Sequence, residues 1–174
     1  MTNVLKRIGG LTLAAGISVG SQAQELTVTL EIPAMSVAEY HKPYVAVWLE
    51  HKQSKQVHNM AVWYDTDMKN AEGEKWLKDM RQWWRRSGRS LAMPVDGVSG
   101  ATQGPGQYDL SWSAGDSRLE QLVAGDYRLR VEAAREVGGR ELVNIPFSWP
   151  PAKRQTLKAS GESELADISL TLVP

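Results

Sequence analysis

The sequence predicts a mainly β protein, an antiparallel β-sandwich with one inserted α-helix. Seven or so segments alternate apolar and polar residues, and turn-forming residues separate them at the spacing typical of sandwiches. One further segment has the apolar spacing of an amphipathic helix. The chain of 174 residues is long enough for a single domain with a sizeable core, so it should need no metal or disulfide to fold.

The first 23 residues have the layout of a secretory signal peptide. Lys6 and Arg7 precede an uncharged run at 8–20, and the small residue Ala23 predicts cleavage directly after it. The alternative is an N-terminal membrane anchor, but the run is rich in glycine and shorter than the ~20 apolar residues that a spanning helix needs. We therefore expect a periplasmic or otherwise extracytoplasmic protein that does not span a membrane when mature and forms one domain over 24–174.

The first three strands follow the predicted cleavage site. In segment 25–32 every second residue is apolar, as in a strand with one buried face. Segments 43–51 and 57–64 are apolar on both faces and flank the polar stretch KQSKQ. This arrangement predicts a central hairpin.

The helix is predicted near 73–88. Its apolar residues fall at i, i+1, i+4, i+7 and i+8 and are Trp76, Leu77, Met80, Trp83 and Trp84. Gly88 follows basic residues and is typical of a helix C-terminal cap. We expect the side of the helix that carries Trp76, Met80 and Trp83 to pack on the sandwich.

Four more strands are predicted after the helix. Segments 105–112 and 124–131 share the pattern small-Gly-x-Tyr-x-Leu-x-apolar, which predicts two strands with similar turns at their starts. Segment 141–149 alternates through its apolar residues, and Pro146 marks it as an edge or bulged strand because proline lacks a ladder donor. Segment 166–173 is the last predicted strand.

Composition disfavours several classes of function. The formal net charge is zero and the pI is near 6.8, so nucleic acid is not an expected partner. The absence of cysteine excludes thiolate nucleophiles, thiolate-bound iron–sulfur clusters and attached c-type haem. His51 and His58 flank the predicted hairpin turn, but no third ligand is evident, so we expect packing there and no metal site. No G-x-S-x-G context supports a hydrolase.

A stretch near 89–106 lacks periodicity, and loops of this length in compact domains are usually functional or disordered. Within it, DGVSGAT at 96–102 resembles the flavinylation motif D-x-x-[S/T]-G-A-[T/S] of the FMN-carrying subunits of sodium-pumping NADH:quinone reductase and the Rnf complex. The resemblance implies FMN bound covalently to Thr102 through a phosphoester, added by an ApbE-type FAD:protein FMN transferase. It implies that the small residues after Asp96 allow a tight approach and that Asp96 serves recognition; these small residues are Ser99, Gly100 and Ala101. The alternative is an ordinary turn of small residues.

The mature chain also resembles a family of predicted periplasmic proteins of unknown function. The segments that carry this likeness are YVAVWLE, LKDMRQWWRRSGR, DGVSGAT and GDYRLRVEAAREVGGRELV. The last of them is similar to the immunoglobulin-like domain of flagellar hook-capping proteins, which implies an immunoglobulin-like sandwich.

Two functions from different classes follow from these resemblances. The first is an extracytoplasmic electron-transfer protein that carries FMN on Thr102 between a membrane reductase and a periplasmic oxidoreductase or cytochrome; it would be a carrier more than an enzyme. Trp83, Trp84 and Arg86 are candidate neighbours of the flavin, because indole rings stack on an isoalloxazine ring and guanidinium groups pair with phosphate. The alternative for these residues is a helix that buries its tryptophans. The alternative function is a periplasmic immunoglobulin-like binding or adhesion module without a cofactor.

Overall fold

The computed structural model describes residues 24–174, and the predicted signal peptide at 1–23 lies outside the described residues. Nine strands make up a little under half of the described chain. They are β1 (Glu25–Ile32), β2 (Tyr44–His51), β3 (Val57–Tyr64), β4 (Ser99–Ala101), β5 (Gly106–Ser113), β6 (Gly125–Ala134), β7 (Arg140–Trp149), β8 (Gln155–Ser160) and β9 (Asp167–Val173).

The strands form two sheets, which confirms the predicted β-sandwich. One sheet has the order β5-β1-β9-β8 and the other has the order β4-β3-β2-β6-β7. The predicted hairpin is β2 and β3, which pair antiparallel. Strand β7 lies at an edge of its sheet, as expected from Pro146.

The strand pairing is immunoglobulin-like. Strand β1 pairs with β5 in one sheet, while β2 pairs with both β3 and β6 and β6 pairs with β7 in the other. These are the B–E and C′–C–F–G neighbours of an immunoglobulin sandwich. The strand beside β1, where an immunoglobulin domain has its first strand, is the C-terminal strand β9.

Two tyrosines explain the repeated small-Gly-x-Tyr pattern of the sequence. The Tyr127 hydroxyl, at the start of β6, donates to the carbonyl oxygen of Val123 at 2.9 Å. The Tyr108 hydroxyl, at the start of β5, donates to the carbonyl oxygen of Gly104, also at 2.9 Å. Each is a tyrosine corner, a bond from the strand back to the backbone four residues upstream that fixes the turn at the strand's entry. The repeated sequence pattern therefore corresponds to the same tyrosine corner at the start of two strands.

Two apolar clusters stabilise the fold. The larger cluster fills the space between the sheets and takes every second residue of β1, including Leu26 and Leu30. The second cluster lies on the other face of the five-stranded sheet, where Ala46, Trp48 and Val62 meet residues from the segment after β3. This second cluster is why β2 and β3 are apolar on both faces.

We call residues 69–90 the helical cover. One continuous helix was expected near 73–88, but the cover consists of a 3₁₀ helix at Lys69–Asp79, the short helix α1 at Arg81–Arg86 and a 3₁₀ turn at Gly88–Ser90. The break lies at Met80, whose ψ is 73°. Directly after it, the buried Glu132 carboxylate of β6 accepts hydrogen bonds from the backbone N–H groups of Gln82 at 3.1 Å and Trp83 at 2.8 Å. The carboxylate thus satisfies amides at the start of α1 that a continuous helix would have bonded internally.

The expected packing of the cover is confirmed in part. Met80 and Trp83 are fully buried, but Trp76 is 49% exposed and Leu77 is buried in its place. Gly88 lies at the C-terminal end of α1, directly after the cap residue Ser87, but its φ is not positive. A Cβ atom at Gly88 would lie 2.5 Å from the Trp83 ring, so glycine is needed there for close packing.

Candidate functional site

The DGVSGAT segment contains a strand, which sequence periodicity did not predict. Strand β4 runs parallel to β3, with Tyr64 opposite Ala101. The backbone N–H of Thr102 then donates to the carbonyl oxygen of Tyr64 at 3.1 Å, so the sheet ladder continues one residue past β4. The backbone therefore fixes Thr102 at the end of the edge strand.

A tight turn precedes this strand. The Ser99 hydroxyl accepts a hydrogen bond from the Val95 N–H at 2.9 Å, and the Ser99 N–H donates to the Val95 carbonyl oxygen at 2.9 Å. Asp96 is exposed in this turn, and Gly97 has a φ of +67°, a conformation that favours glycine. The Ser99 hydroxyl thus closes the turn that presents Asp96 to solvent.

The small residues of the motif occupy different structural environments. A Cβ atom at Gly100 would lie 3.2 Å from Cδ1 of Trp63, so a larger side chain would push against that ring. Ala101 is exposed and Thr102 is half-buried. Only a narrow side-chain surface therefore lies beside the Thr102 hydroxyl on the strand.

Arg118 lies outside the 96–102 segment and makes a hydrogen bond to its backbone. The sequence did not indicate this residue as part of the site. It lies in the short helix α2 (Ser117–Glu120), where its Nη1 donates to the carbonyl oxygen of Gly97. Its Nη2 pairs with the Asp116 carboxylate at 2.6 Å, and its guanidinium lies 5.7 Å from the Trp112 ring centroid. The Arg118 hydrogen bonds lower the pKa of Asp116, which also caps α2 by accepting from the Arg118 N–H. The sequence around Asp116 is typical of a helix N-cap and could have been recognised. The bond from Arg118 to Gly97 could not, because the two residues are 21 positions apart in the chain.

Thr102 and Ala101 line a pocket of about 670 Å³ at one end of the five-stranded sheet. Strands β3 and β4 end there, β2 begins there, and β6 ends there, because β2 is antiparallel to β3 and to β6. The rest of the lining comes from the ends of these strands and from the helical cover, at 40–42, Tyr44, 65–68, 134–137, Trp76 and Asp79. The topology thus brings five separate segments together around Thr102.

The pocket combines an aromatic surface with polar groups. Trp76 exposes half of its side chain there, and Tyr40 and Tyr44 also line it. The Tyr40 hydroxyl oxygen is buried without a hydrogen-bond partner, whereas the Tyr44 hydroxyl donates to the Gly73 carbonyl oxygen at 3.1 Å. Burial raises the pKa of both tyrosines, so both hydroxyls remain protonated donors at neutral pH.

Charges of both signs surround this surface. The lining includes the cationic Lys42 and Arg135 as well as four carboxylates, Asp65, Asp67, Asp79 and Glu136. Arg135 is committed to Glu164, which accepts from its Nε at 2.8 Å and its Nη2 at 3.1 Å. Lys42 is exposed. It is therefore the lining cation better able to meet an anionic ligand group.

The structure does not bring Trp83, Trp84 and Arg86 to Thr102. Trp83 is fully buried under the cover, and its indole N–H donates to Asn59 Oδ1 at 2.8 Å. Trp84 packs against the second apolar cluster, and the Arg86 guanidinium lies 3.4 Å from the Glu50 carboxylate. None of the three lines the pocket. The tryptophan at the pocket is Trp76, the residue expected to be buried.

His51 and His58 have packing roles beside the hairpin turn. His51 and His58 are both buried against Tyr127, with ring centroids 4.9 Å and 6.3 Å from the tyrosine ring. Burial lowers the pKa of His58, and the neighbouring His51 lowers it further. Within residues 24–174 there is no group of three or more histidine, aspartate or glutamate side chains that could hold a metal ion.

The fold and the site together define an immunoglobulin-like sandwich with a mixed aromatic and polar pocket at one end of a sheet. The chain belongs to the family of predicted periplasmic proteins described as DUF2271, whose model matches residues 25–167. The expected periplasmic localisation is therefore confirmed. No curated protein and no solved structure matches the chain. Across residues 24–174, the helices are too short or too polar to cross a bilayer.

Proposed function

We propose that this protein is an extracytoplasmic electron carrier that bears FMN on Thr102 through a phosphoester bond. The observation that supports it best is the position of Thr102. The last residue of a segment that resembles a flavinylation motif lines a pocket of about 670 Å³ that also has an exposed indole and two tyrosines in its lining. This volume lies within the roughly 300–1,000 Å³ of ordinary cofactor and ligand pockets.

The attachment is a phosphoryl-type group transfer from FAD. The Thr102 hydroxyl oxygen forms a bond to the phosphorus on the FMN side of the diphosphate, and the bond between that phosphorus and the bridging oxygen breaks. AMP leaves with the bridging oxygen, and the hydroxyl proton is released. The transferase and its divalent metal would supply the catalysis, so this protein would be the substrate of that reaction.

The residues around Thr102 support its role as an acceptor. A weakly nucleophilic hydroxyl gains most from being held in one position at the surface. The ladder bond to Tyr64 and the Ser99 turn supply that position, and the exposed Ala101 places only a methyl group beside it, which leaves room for a diphosphate to approach. Asp96, exposed in the same turn, is available to the transferase as a recognition group.

The pocket also suits the group that would be attached. Trp76 offers a flat apolar surface, and Tyr40 and Tyr44 add aromatic side chains to the lining. FMN would supply one- and two-electron chemistry that no side chain of this cysteine-free protein provides. The chain itself would bind and orient the cofactor and present it to a membrane reductase on one side and a periplasmic oxidoreductase or cytochrome on the other.

A periplasmic binding module without a cofactor is the second candidate. It is favoured by the immunoglobulin-like strand pairing and by the exposed Trp76, because indole surfaces also stack on sugar rings. In this case the 96–102 segment would be only a sheet edge.

Co-expression with an FAD:protein FMN transferase distinguishes the two candidates. We expect the intact mass of the purified protein to show one FMN adduct, and peptide mapping to place it on Thr102. Thr102→Ala should lose the adduct and keep the fold, and Thr102→Ser should retain some of it. Thr66→Ala is the matched control, because Thr66 is exposed and lines the same pocket, and it should remain fully modified. An unmodified chain in the presence of active transferase would contradict the carrier and favour the binding module.

A further inference from the structure

Trp76 is an unusual residue for the surface of this protein. Its side chain is 49% exposed, although tryptophan is highly buried on average and the neighbouring Leu77 and Met80 are completely buried. It extends from the 3₁₀ helix at Lys69–Asp79 into the lining of the pocket that contains Thr102. The cover thus exposes its indole at the one pocket that holds the candidate acceptor.

We propose that Trp76 is the stacking platform for the isoalloxazine ring of FMN attached to Thr102. This inference rests on the proposed function and adds the site where the ring binds. Offset stacking of aromatic rings favours the contact state by roughly two- to twelvefold over the separated state. Trp76 gives the ring such a surface and replaces the role first expected of Trp83 and Trp84.

The tether makes even a weak contact effective. A group attached to Thr102 cannot diffuse away, so its encounter with Trp76 is intramolecular and has a high effective concentration. Both residues line one pocket, so a short ribityl phosphate chain has little distance to cover. A contact that would not hold free FMN from dilute solution can therefore hold the attached ring.

Tyr40 and Tyr44 add aromatic side chains to the lining of the same pocket. The Tyr40 hydroxyl oxygen is buried, so its aromatic ring, and not its hydroxyl, is the part of the side chain that can line the pocket. Trp76 therefore carries the proposal, and the two tyrosines extend the aromatic surface available to a flat heteroaromatic ring.

Flavin fluorescence tests the proposal, because a stacked indole quenches it. FMN is first attached to the protein by co-expression with the transferase. The FMN content of each variant is then measured by intact mass and absorbance. We expect fluorescence per bound FMN to be well below that of free FMN and to rise roughly three- to thirteenfold in Trp76→Ala, because a dark stacked state favoured roughly two- to twelvefold leaves only about a third to a thirteenth of the rings emitting. Trp76→Phe should give an intermediate value, since phenylalanine keeps a stacking surface.

The controls separate this inference from the proposed function. Trp84→Phe changes a half-buried tryptophan outside the pocket and should leave the fluorescence per FMN unchanged. Anisotropy of the flavin emission should fall in Trp76→Ala as the ring becomes mobile. Full FMN loading with unquenched wild-type fluorescence, or with no difference between wild type and Trp76→Ala, overturns the stacking role while the carrier function stands. Absence of any adduct overturns the carrier function itself.

Discussion

Replacing Trp83 with alanine tests whether the helical cover is part of the folded core. Trp83 is fully buried, and its indole N–H bonds to Asn59 Oδ1 at 2.8 Å. Truncation of a large buried aromatic residue costs ~3–5 kcal/mol. The lost hydrogen bond adds little, because Asn59 Oδ1 still accepts from the Ser87 hydroxyl at 3.0 Å and is not left unsatisfied.

Equilibrium unfolding in urea and thermal melting measure this loss. For a domain of about 150 residues each kcal/mol corresponds to roughly 2–4 °C, so we expect the melting temperature to fall by roughly 6–20 °C. Trp76→Ala is the matched control in the same cover. Because about half of Trp76 is already exposed, its truncation should lower the free energy of unfolding by roughly half as much as that of Trp83. Equal midpoints for Trp83→Ala and wild type would refute the packing of the cover on the sheet.

Three further predictions concern the motif and the hairpin. Ser99→Ala removes the acceptor of the Val95 N–H and should slow FMN incorporation on Thr102 in a time course by mass, whereas Ser99→Thr should restore it. Arg118→Ala removes the bond to the Gly97 carbonyl and should also slow incorporation; an unchanged rate in a folded variant would show that the turn needs no support from α2. His58 has a pKa below its ordinary value in the folded state, so the unfolded chain binds the proton more readily and stability should fall as pH decreases through about 6.5. His58→Gln should flatten that part of the curve of unfolding midpoint against pH, and an identical curve would contradict this origin.

Much of the fold could be predicted from the sequence because strand positions depend on local alternation. The seven predicted strands all correspond to observed strands, and the apolar faces of β2 and β3 were a true sign of packing on both sides. Strands β4 and β8 escaped prediction for a physical reason. The first has three residues, Ser99–Ala101, and the second has only half-buried and exposed residues, so neither has a clear buried face.

The cover could not be predicted from helical periodicity alone. Its apolar spacing correctly indicated burial of Met80 and Trp83, but the buried Glu132 carboxylate, about 50 residues away along the chain, bonds to the backbone where the helix would have continued. This contact interrupts the helix and accompanies a change in which residues face the sheet. Trp76 consequently lies at the surface, and no local pattern distinguishes it from its buried neighbours.

One part of the candidate site depends on local sequence and could be predicted, and the other part depends on contacts between distant residues and could not. A covalent attachment motif must be contiguous, because one enzyme recognises it along one stretch of chain, and so DGVSGAT was readable from the sequence. The pocket is assembled from strand ends far apart in the chain, and the sequence did not indicate it.

The structure also changes the physical argument for why Thr102 is a good acceptor. Thr102 was expected in a long loop near 89–106, but it follows an edge strand whose backbone is bonded to Tyr64. An edge strand combines two properties that a loop does not: its backbone is held on one side by the sheet, and its other side is open to approach. The backbone at Thr102 therefore stays in place, and a group attached to its side chain would remain in the pocket with Trp76 instead of moving with a loop. On this reasoning the short parallel pairing of β4 with β3 is as important to the site as the Thr102 side chain itself.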